Sequence, residues 1–411
     1  MLLYRFLIAG DSDFPRTTGS AWLVSDTAAA DAARPPPLPF VKILYPALLL
    51  KTRIIWTAML VLNGRTECNV TSPAQLYNLR YDGRLHKLLP KSHLAHYEGC
   101  RLSIRSVFTR GPALGATYPL SDNIVGSAFY NNFNFEAIAD PTHGRVNYVN
   151  QATAQSQNLT FASGNTFILR ADFKTTLNPN GPGRNSVRIR SNKAYTTHVA
   201  VFDVRHMPQG CGTWPAIWET LESNWPNGGE IDIVEGVNDQ SPNSVTLHTS
   251  AGCTMPASRA ETGTPSGLDC NAAVNGNAGC GVKLSEANSY GPPFNSNGGG
   301  WYAVERTNTF IKVWFWPRNS GSVPSDVRNG GSSVNTDNWG TPSAYFPNTS
   351  CDIASHFSQN NIIINLTFCG DWAGAVYGSS GCPSTCVDYV NNNPSAFANA
   401  YFEFASLNVY S

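Results

Sequence analysis

The chain has 411 residues with 28 Lys+Arg against 28 Asp+Glu, so its formal net charge is zero, and charged residues make up only 14% of it. Glycine (35 residues) and the small polar residues are plentiful instead, which suits an extracellular β-rich protein with long polar loops. The charge is uneven: residues 1–115 hold 14 basic and 7 acidic residues, residues 116–411 hold 14 and 21, and the acidic part has no basic stripe, which argues against nucleic-acid binding.

Residues 1–115 differ in character from the rest of the chain. Arg34-Pro35-Pro36-Pro37-Leu38-Pro39 reads as an extended linker. Residues 41–62 are mostly apolar but are interrupted by Lys51 and Arg53. The run 54–62 behind that basic pair looks like the hydrophobic region of a signal peptide, displaced from the chain start where such regions belong. A membrane-spanning helix needs roughly 20 apolar residues, and two charges at its centre are expensive, so no stable membrane insertion is expected. The readings are an internal anchor, a propeptide, or sequence outside the mature protein, and the last two fit best. Ala113-Leu114-Gly115 has the small residues of a cleavage site, and a second domain is expected over 116–411.

From residue 116 onward, short β patterns alternate with turn clusters. Strands are expected at 166–173, 186–190, 196–204, 310–316, 361–368 and 401–410. In 310–316 hydrophobicity is two-sided, with Ile311, Val313 and Phe315 on one face and Phe310, Lys312, Trp314 and Trp316 on the other. One face belongs in a core and the other lines something aromatic. Residues 253–300 read as long loops. No long segment keeps a helical period and no βαβ alternation occurs, so the fold class is all-β, a sandwich.

The chemistry concentrates in Glu230-Ile231-Asp232-Ile233-Val234-Glu235-Gly236, preceded by Trp214-Pro215, Trp218, Trp225-Pro226 and the turn Gly228-Gly229. The segment has strong β propensity. In a regular strand Glu230 and Asp232 share a face and Glu235 points the other way, into the core, where an unpaired charge is costly. A bulge at Ile233-Val234 inserts one residue and turns Glu235 back to the face of Glu230. The two glutamates then behave as i and i+4, their backbones ~13 Å apart, and side chains leaning inward leave about 5–6 Å between carboxylates. A separation of roughly 5–5.5 Å is what a retaining glycosidase needs, because nucleophile and acid flank one bond with no water between them. An exposed strand decorated with acids would show the same Ile/Val alternation, but the tryptophans and the Gly-Gly turn upstream favour the paired-carboxylate reading.

This stretch resembles the active-site signature of glycoside hydrolase family 16 in its bulged form, and more narrowly that of secreted fungal endo-1,3(4)-β-glucanases, the laminarinases. The likeness runs over 116–411 and includes Asp140-Pro141-Thr142-His143-Gly144-Arg145-Val146-Asn147-Tyr148, Cys369-Gly370-Asp371-Trp372 and Cys386-Val387-Asp388-Tyr389. It implies a jelly-roll β-sandwich with a concave substrate cleft. It also implies Glu230 as nucleophile, Glu235 as acid/base and Asp232 as their assistant. The substrate expected is β-1,3-glucan or mixed-linkage glucan, cut internally. Trp214–Thr220 and the acidic strand can form a hairpin that sets Trp218 opposite the acids, where an aromatic ring packs on the apolar face of a pyranose. Trp218, Trp225 and Trp372 are expected to contact sugar, and His248 to touch substrate near the acids. Arg188 binds sugar hydroxyls or is an ordinary surface arginine, and Trp214 reads as structural. No metal, nucleotide or redox cofactor is suggested, and a monomer is expected.

Eight of the ten cysteines lie after residue 116, an even number without finger spacing, which favours disulfides in an oxidising compartment and secretion. Cys382 and Cys386 could instead form a metal pair, but no second Cys/His pair accompanies them. Sequons stand at Asn69, Asn158, Asn348 and Asn365, the last inside a strand pattern where no glycan is expected. Two other functions fit the same residues: a non-catalytic glucan-binding lectin, which would not need aligned glutamates, and a transglycosylase that lengthens glucan.

Overall fold

In the computed structural model the chain divides into two units, Met1–Leu114 and Gly115–Ser411. The structure describes residues 117–411. Before them it describes only four short strands, Tyr4–Leu7 paired with Thr18–Ala21 and Phe40–Lys42 paired with Met59–Val61. The expected proline linker and most of the apolar segment 41–62 lie outside the described residues, as does the sequon at Asn69.

Two antiparallel sheets face each other. The first has eight strands, in spatial order Thr264–Pro265, Cys280–Lys283, Ser244–His248, Glu230–Glu235, Thr213–Thr220, Asn360–Phe368, Arg188–Tyr195 and Phe133–Phe135. The second runs Ser333–Asn335, Thr117–Ile124, Tyr401–Tyr410, His198–His206, Gly300–Arg306, Phe310–Pro317 and Ala344–Pro347, with Thr166–Arg170 paired on Tyr401–Tyr410 and Thr160–Ser163 beside it. This is the jelly-roll sandwich that the sequence implies. Its core is built from alternating inward residues: Ile189, Ile217, Ile231, Val245, Leu247, Ile362 and Ile364 from the first sheet meet Phe202, Val204, Tyr302, Val304, Val313, Phe315 and Phe404 from the second. Burying that much branched and aromatic surface is the main stabilising term.

The two-faced strand Phe310–Pro317 divides as its pattern requires. Ile311, Val313 and Phe315 enter the main core. Trp314 and Trp316 stand on the outer face of the second sheet, edge-on to Trp339 at 5.2 and 5.6 Å, in a separate apolar layer with Trp301 and Val327. That aromatic face is thus a second small core and not part of the acidic groove.

Residues 253–300 carry more structure than loop composition suggests. They supply Cys280–Lys283, which pairs with Ser244–His248, the edge strand Thr264–Pro265 beyond it, and the short helix Gly291–Ser296. All eight cysteines after residue 116 form disulfides, Cys211–Cys382, Cys253–Cys351, Cys270–Cys280 and Cys369–Cys386, so Cys382 and Cys386 belong to two different bridges. Among the described residues no helix is long and apolar enough to cross a membrane.

Candidate active site

The hairpin forms as expected. Thr213–Thr220 pairs antiparallel with Glu230–Glu235, Thr220 opposite Glu230 and Trp218 opposite Asp232. Between Trp218 and Ile217 the partner jumps from Asp232 to Val234, so Ile233 is the extra residue of a bulge. The same irregularity appears on the other side, where Asp232 faces Thr246 and Glu235 faces Ser244. Ile231, Ile233 and Val234 all enter the core with no exposed surface. Glu235 is turned outward instead and takes a hydrogen bond from an outward-facing tryptophan (Trp214 Nε1 to Glu235 Oε1, 2.9 Å).

A buried asparagine holds the bulge in shape. Asn243 accepts from the Glu235 amide at 2.9 Å and donates through Nδ2 to the Ile233 carbonyl at 2.9 Å, while its own amide donates to Ser289 Oγ at 3.0 Å. It supplies the partners that the interrupted ladder cannot, as buried backbone groups require. At the other end of the strand, Gly229 has φ +73°, and a Cβ there would meet the Phe357 ring at 2.4 Å and the His356 carbonyl at 2.6 Å. Only glycine enters the strand by this route.

Each acid has its own partner. Trp225, 44% exposed, donates from Nε1 to Glu230 Oε2 at 2.7 Å. Asp232 is buried between Glu230, to which it is hydrogen-bonded, and His248, whose Nε2 lies 3.4 Å from Asp232 Oδ2. His248 donates from its other nitrogen, Nδ1, to Asn277 Oδ1 at 2.8 Å. Burial pushes Glu230 up to about 7, against the Trp225 hydrogen bond and the positive charge of Arg188. Burial also lifts Glu235 to about 7, opposed by the Trp214 hydrogen bond and by His248. Asp232 goes well above its ordinary value, through burial first and then the negative charges of Glu230 and Glu235. Burial holds His248 below the usual imidazole value. A cluster of this kind keeps at least one carboxylic proton near neutral pH, where isolated acids would have none. Glu230, Asp232 and His248 bring one donor atom each within 4.8 Å of one another. Trp225 and Asn277 already engage the first and last of them, while Asp232 Oδ2 has no hydrogen-bond partner.

Trp218 stands on the groove face beside the acids. Its Nε1 donates to Asn365 Oδ1 at 2.7 Å, and Asn365 in turn donates to the Tyr148 hydroxyl at 3.1 Å. Asn365 is 7% exposed and its amide nitrogen is committed to that bond. Arg188 is 3% exposed, so it is not a surface arginine. It pairs with Glu136 (Nε to Oε2, 2.9 Å) and with Glu222, and lies 5.0 Å from the centre of the Trp218 ring. It reaches the site by backing Trp218 and by its charge on Glu230.

Trp372 sits in the turn Gly370–Gly374, half-buried and edge-on to Trp214 at 5.7 Å. The turn is tied by the Cys369–Cys386 bridge and by Asp371, which pairs with His143 at 2.9 Å. Trp214 therefore does more than fill space, because it touches both Glu235 and Trp372. Its place was legible: in a strand, residues 214, 216 and 218 share a face. Asn243, Asn277 and Asn365 were missed as site residues, and only the last carried any sequence signal, as a sequon.

A family profile described as "XgeA-like, catalytic GH16 domain" matches residues 133–410. A probable endo-1,3(4)-β-glucanase of Aspergillus fumigatus is 46% identical over 304 residues, 72% of this chain and 45% of that protein. The endo-1,3(4)-β-glucanase xgeA of Emericella nidulans is 41% identical over 306 residues, 72% of this chain and 47% of its own. The chain thus spans about half the length of the curated relatives it matches. Among solved structures, laminarinase 16A from Phanerochaete chrysosporium, with 6-O-glucosyl-laminaritriose in both donor and acceptor sites, is 71% identical with a TM-score of 0.72, over 72% of this chain and all of that one. An elongating family 16 β-1,3-glucosyltransferase is 38% identical with a TM-score of 0.67, over 72% of this chain and all of its own. With the bulged acidic strand and the sandwich that carries it, these matches make the chain a member of glycoside hydrolase family 16, in its XgeA-like branch.

Proposed function

We propose that residues 116–411 form the catalytic domain of a retaining endo-1,3(4)-β-glucanase that cuts internal bonds of β-1,3-glucan and mixed-linkage glucan. The observation that carries this reading is the bulge at Ile233, which places Glu230 and Glu235 on one groove face, each fixed by a tryptophan N–H. Glu230 attacks the anomeric carbon and the glycosidic C–O bond breaks. Glu235, protonated, gives its proton to the departing sugar oxygen. Glu235 then takes a proton from water, the water oxygen attacks the same carbon, and Glu230 is released as carboxylate, so the configuration is retained. Asp232 donates its hydrogen bond to Glu230 and moderates its charge through the cycle. Burial lifts both glutamates to about 7, which keeps a proton available to the acid near neutral pH, and the Arg188 charge favours Glu230 as the anion of the pair. Trp218, Trp225 and Trp372 stack on sugar faces, and His248 contacts substrate beside the acids. Four disulfides support an extracellular protein, and we propose that it acts as a monomer.

Glu230→Gln and Glu235→Gln should each lose nearly all reducing-end release from laminarin while still binding oligosaccharide. Wild-type turnover in either variant removes that residue from the assignment. Azide should restore cleavage of an activated glycoside by Glu235→Ala, and no rescue would remove Glu235 as acid/base. A lectin would release no reducing ends in any form. Transglycosylation is the second reading, favoured by the 38% identical glucosyltransferase. Products longer than the substrate would establish it.

A further inference from the structure

The loop at 271–279 is sequence of an unusual kind, Asn271-Ala272-Ala273-Val274-Asn275-Gly276-Asn277-Ala278-Gly279, with no titratable side chain. Asn275, Gly276, Asn277 and Gly279 all take left-handed backbone conformations, with φ between 53° and 65°. The disulfide Cys270–Cys280 closes it at its base, with both cysteines fully buried. The base is pinned to the strand that carries His248: Cys280 pairs with Leu247, and the Thr249 amide donates to the Cys270 carbonyl at 2.7 Å. At Gly279 a Cβ would stand 2.6 Å from Thr246 Cγ2, 2.7 Å from the Leu247 carbonyl and 2.9 Å from the His248 ring, so the loop passes close to the imidazole only because this residue is glycine. The exposed tip then delivers one polar atom to the site, Asn277 Oδ1, 2.8 Å from His248 Nδ1.

An amide oxygen can only accept, so Nδ1 carries the proton and a neutral ring presents the Nε2 lone pair to Asp232. We propose that Asn277, held by the Cys270–Cys280 loop, is a positioning residue that fixes the His248 tautomer and thereby gives the Asp232 hydroxyl two acceptors, Glu230 and His248 Nε2. This inference rests on the glycosidase reading above. While Glu230 is a carboxylate, Asp232 donates to it. Once Glu230 becomes the glycosyl ester its acceptor strength falls, and the Asp232 carboxyl turns to aim its O–H at Nε2, which stands 3.4 Å from an otherwise unpartnered Oδ2. No proton leaves Asp232 in either direction, and the bond swings back when water frees Glu230. The opposite tautomer would aim an N–H at Asp232 Oδ2 and leave the Asp232 proton no second acceptor. The groups that face His248 are Asp232 at 3.4 Å, Glu230 opposite it in the ladder, Glu235 through its charge, and the neutral Asn277.

The test reads the ring directly. Nitrogen-15 NMR of the imidazoles, with His248 identified by its loss in His248→Gln, should show the Nδ1–H form in the wild-type protein. Asn277→Ala should shift it towards the Nε2–H form and lower kcat by about tenfold with little change in KM. The Cys270→Ser/Cys280→Ser double variant should reproduce both effects, since the loop then loses its closure. Asn277→Asp keeps the acceptor and adds a negative charge. It should restore the Nδ1–H signal but hold His248 protonated to higher pH, moving the acid limb of the kcat profile upward. An unchanged tautomer and rate in Asn277→Ala overturns the proposal. So does an equal loss of activity in the Ala and Asp variants with the tautomer unmoved, which is what mere loop disruption would give. If Glu230→Gln remained active, the glycosidase reading would fall while the tautomer result stood by itself.

Discussion

Replacing Asn243 with alanine tests whether the bulge is a held shape. The side chain is fully buried and makes two bonds to the bulged strand, from the Glu235 amide and to the Ile233 carbonyl, both at 2.9 Å. Alanine leaves both backbone groups without a partner in a place water does not reach. Each such group costs about 1–3 kcal/mol, so the variant should lose about 2–5 kcal/mol after local relaxation. The bond from the Asn243 amide to Ser289 is a backbone bond and survives, so the adjoining turn stays anchored. Catalysis should suffer separately, because Glu235 lies at the bulge and a displacement of about 1 Å costs on the order of a hundredfold in rate. Urea unfolding monitored by fluorescence gives the first number, and reducing-end release from laminarin the second. Stability within about 0.5 kcal/mol of wild type together with turnover within about twofold would refute the argument. Asn243→Asp should fall between, since it keeps the acceptor for Glu235 and loses the donor to Ile233.

Trp214→Phe removes the hydrogen bond that pulls the Glu235 pKa down, so the alkaline limb of the kcat profile should move up by about one pH unit; an unmoved limb would mean that Glu235 does not govern it. Glu230 and Glu235 are raised from 4.5 to about 7, so between those values the folded protein binds more protons than the unfolded chain, and unfolding free energy should fall as pH rises through that window, by a few kcal/mol in order of magnitude. Urea midpoints between pH 4.5 and 8 check the sign, and the Glu230→Gln/Glu235→Gln double variant should flatten the slope. Cys253→Ser/Cys351→Ser opens a bridge spanning 98 residues and should cost about 4–5 kcal/mol on the loop-entropy estimate, read from the same unfolding curves. Trp372→Ala should raise KM for long laminarin oligosaccharides more than it lowers kcat, and an unchanged KM would take Trp372 out of the substrate path.

The sequence is most readable where a local period is obeyed. Alternation marks Ile217 as inward and Trp218 as outward, and the cost of burying Glu235 forces the bulge. The two-sided pattern at 310–316 announces one face for the core and one lining something aromatic, but not that Trp339 closes a second small core there. The same period puts Trp214 beside Trp218, yet a tryptophan next to proline passes for packing. Asn243 and Asn277 are illegible for a different reason. Each acts across a turn or loop on a residue of another strand, and asparagine in a glycine- or proline-rich stretch is ordinary turn composition. Arg188 stands out as a candidate, but its burial depends on Glu136, 52 residues away. The strand Cys280–Lys283, second from the edge, has four residues and no alternation to betray it.

The first and last strands of the sandwich lie side by side. Leu407 pairs with Ile124, Tyr410 with Leu120, and the Ser411 amide donates to the Pro119 carbonyl at 3.0 Å. In space the domain is therefore a closed circuit whose cut happens to fall in the second sheet, far along the strand order from the acids. A short tether across that cut, with new ends opened in the exposed stretch around Gly321, where a side chain would meet nothing, should yield a circular permutant with every strand pairing of the two sheets preserved. Its two ends would then leave from a surface loop, convenient points for fusing a carrier or a wall-targeting module without touching the groove.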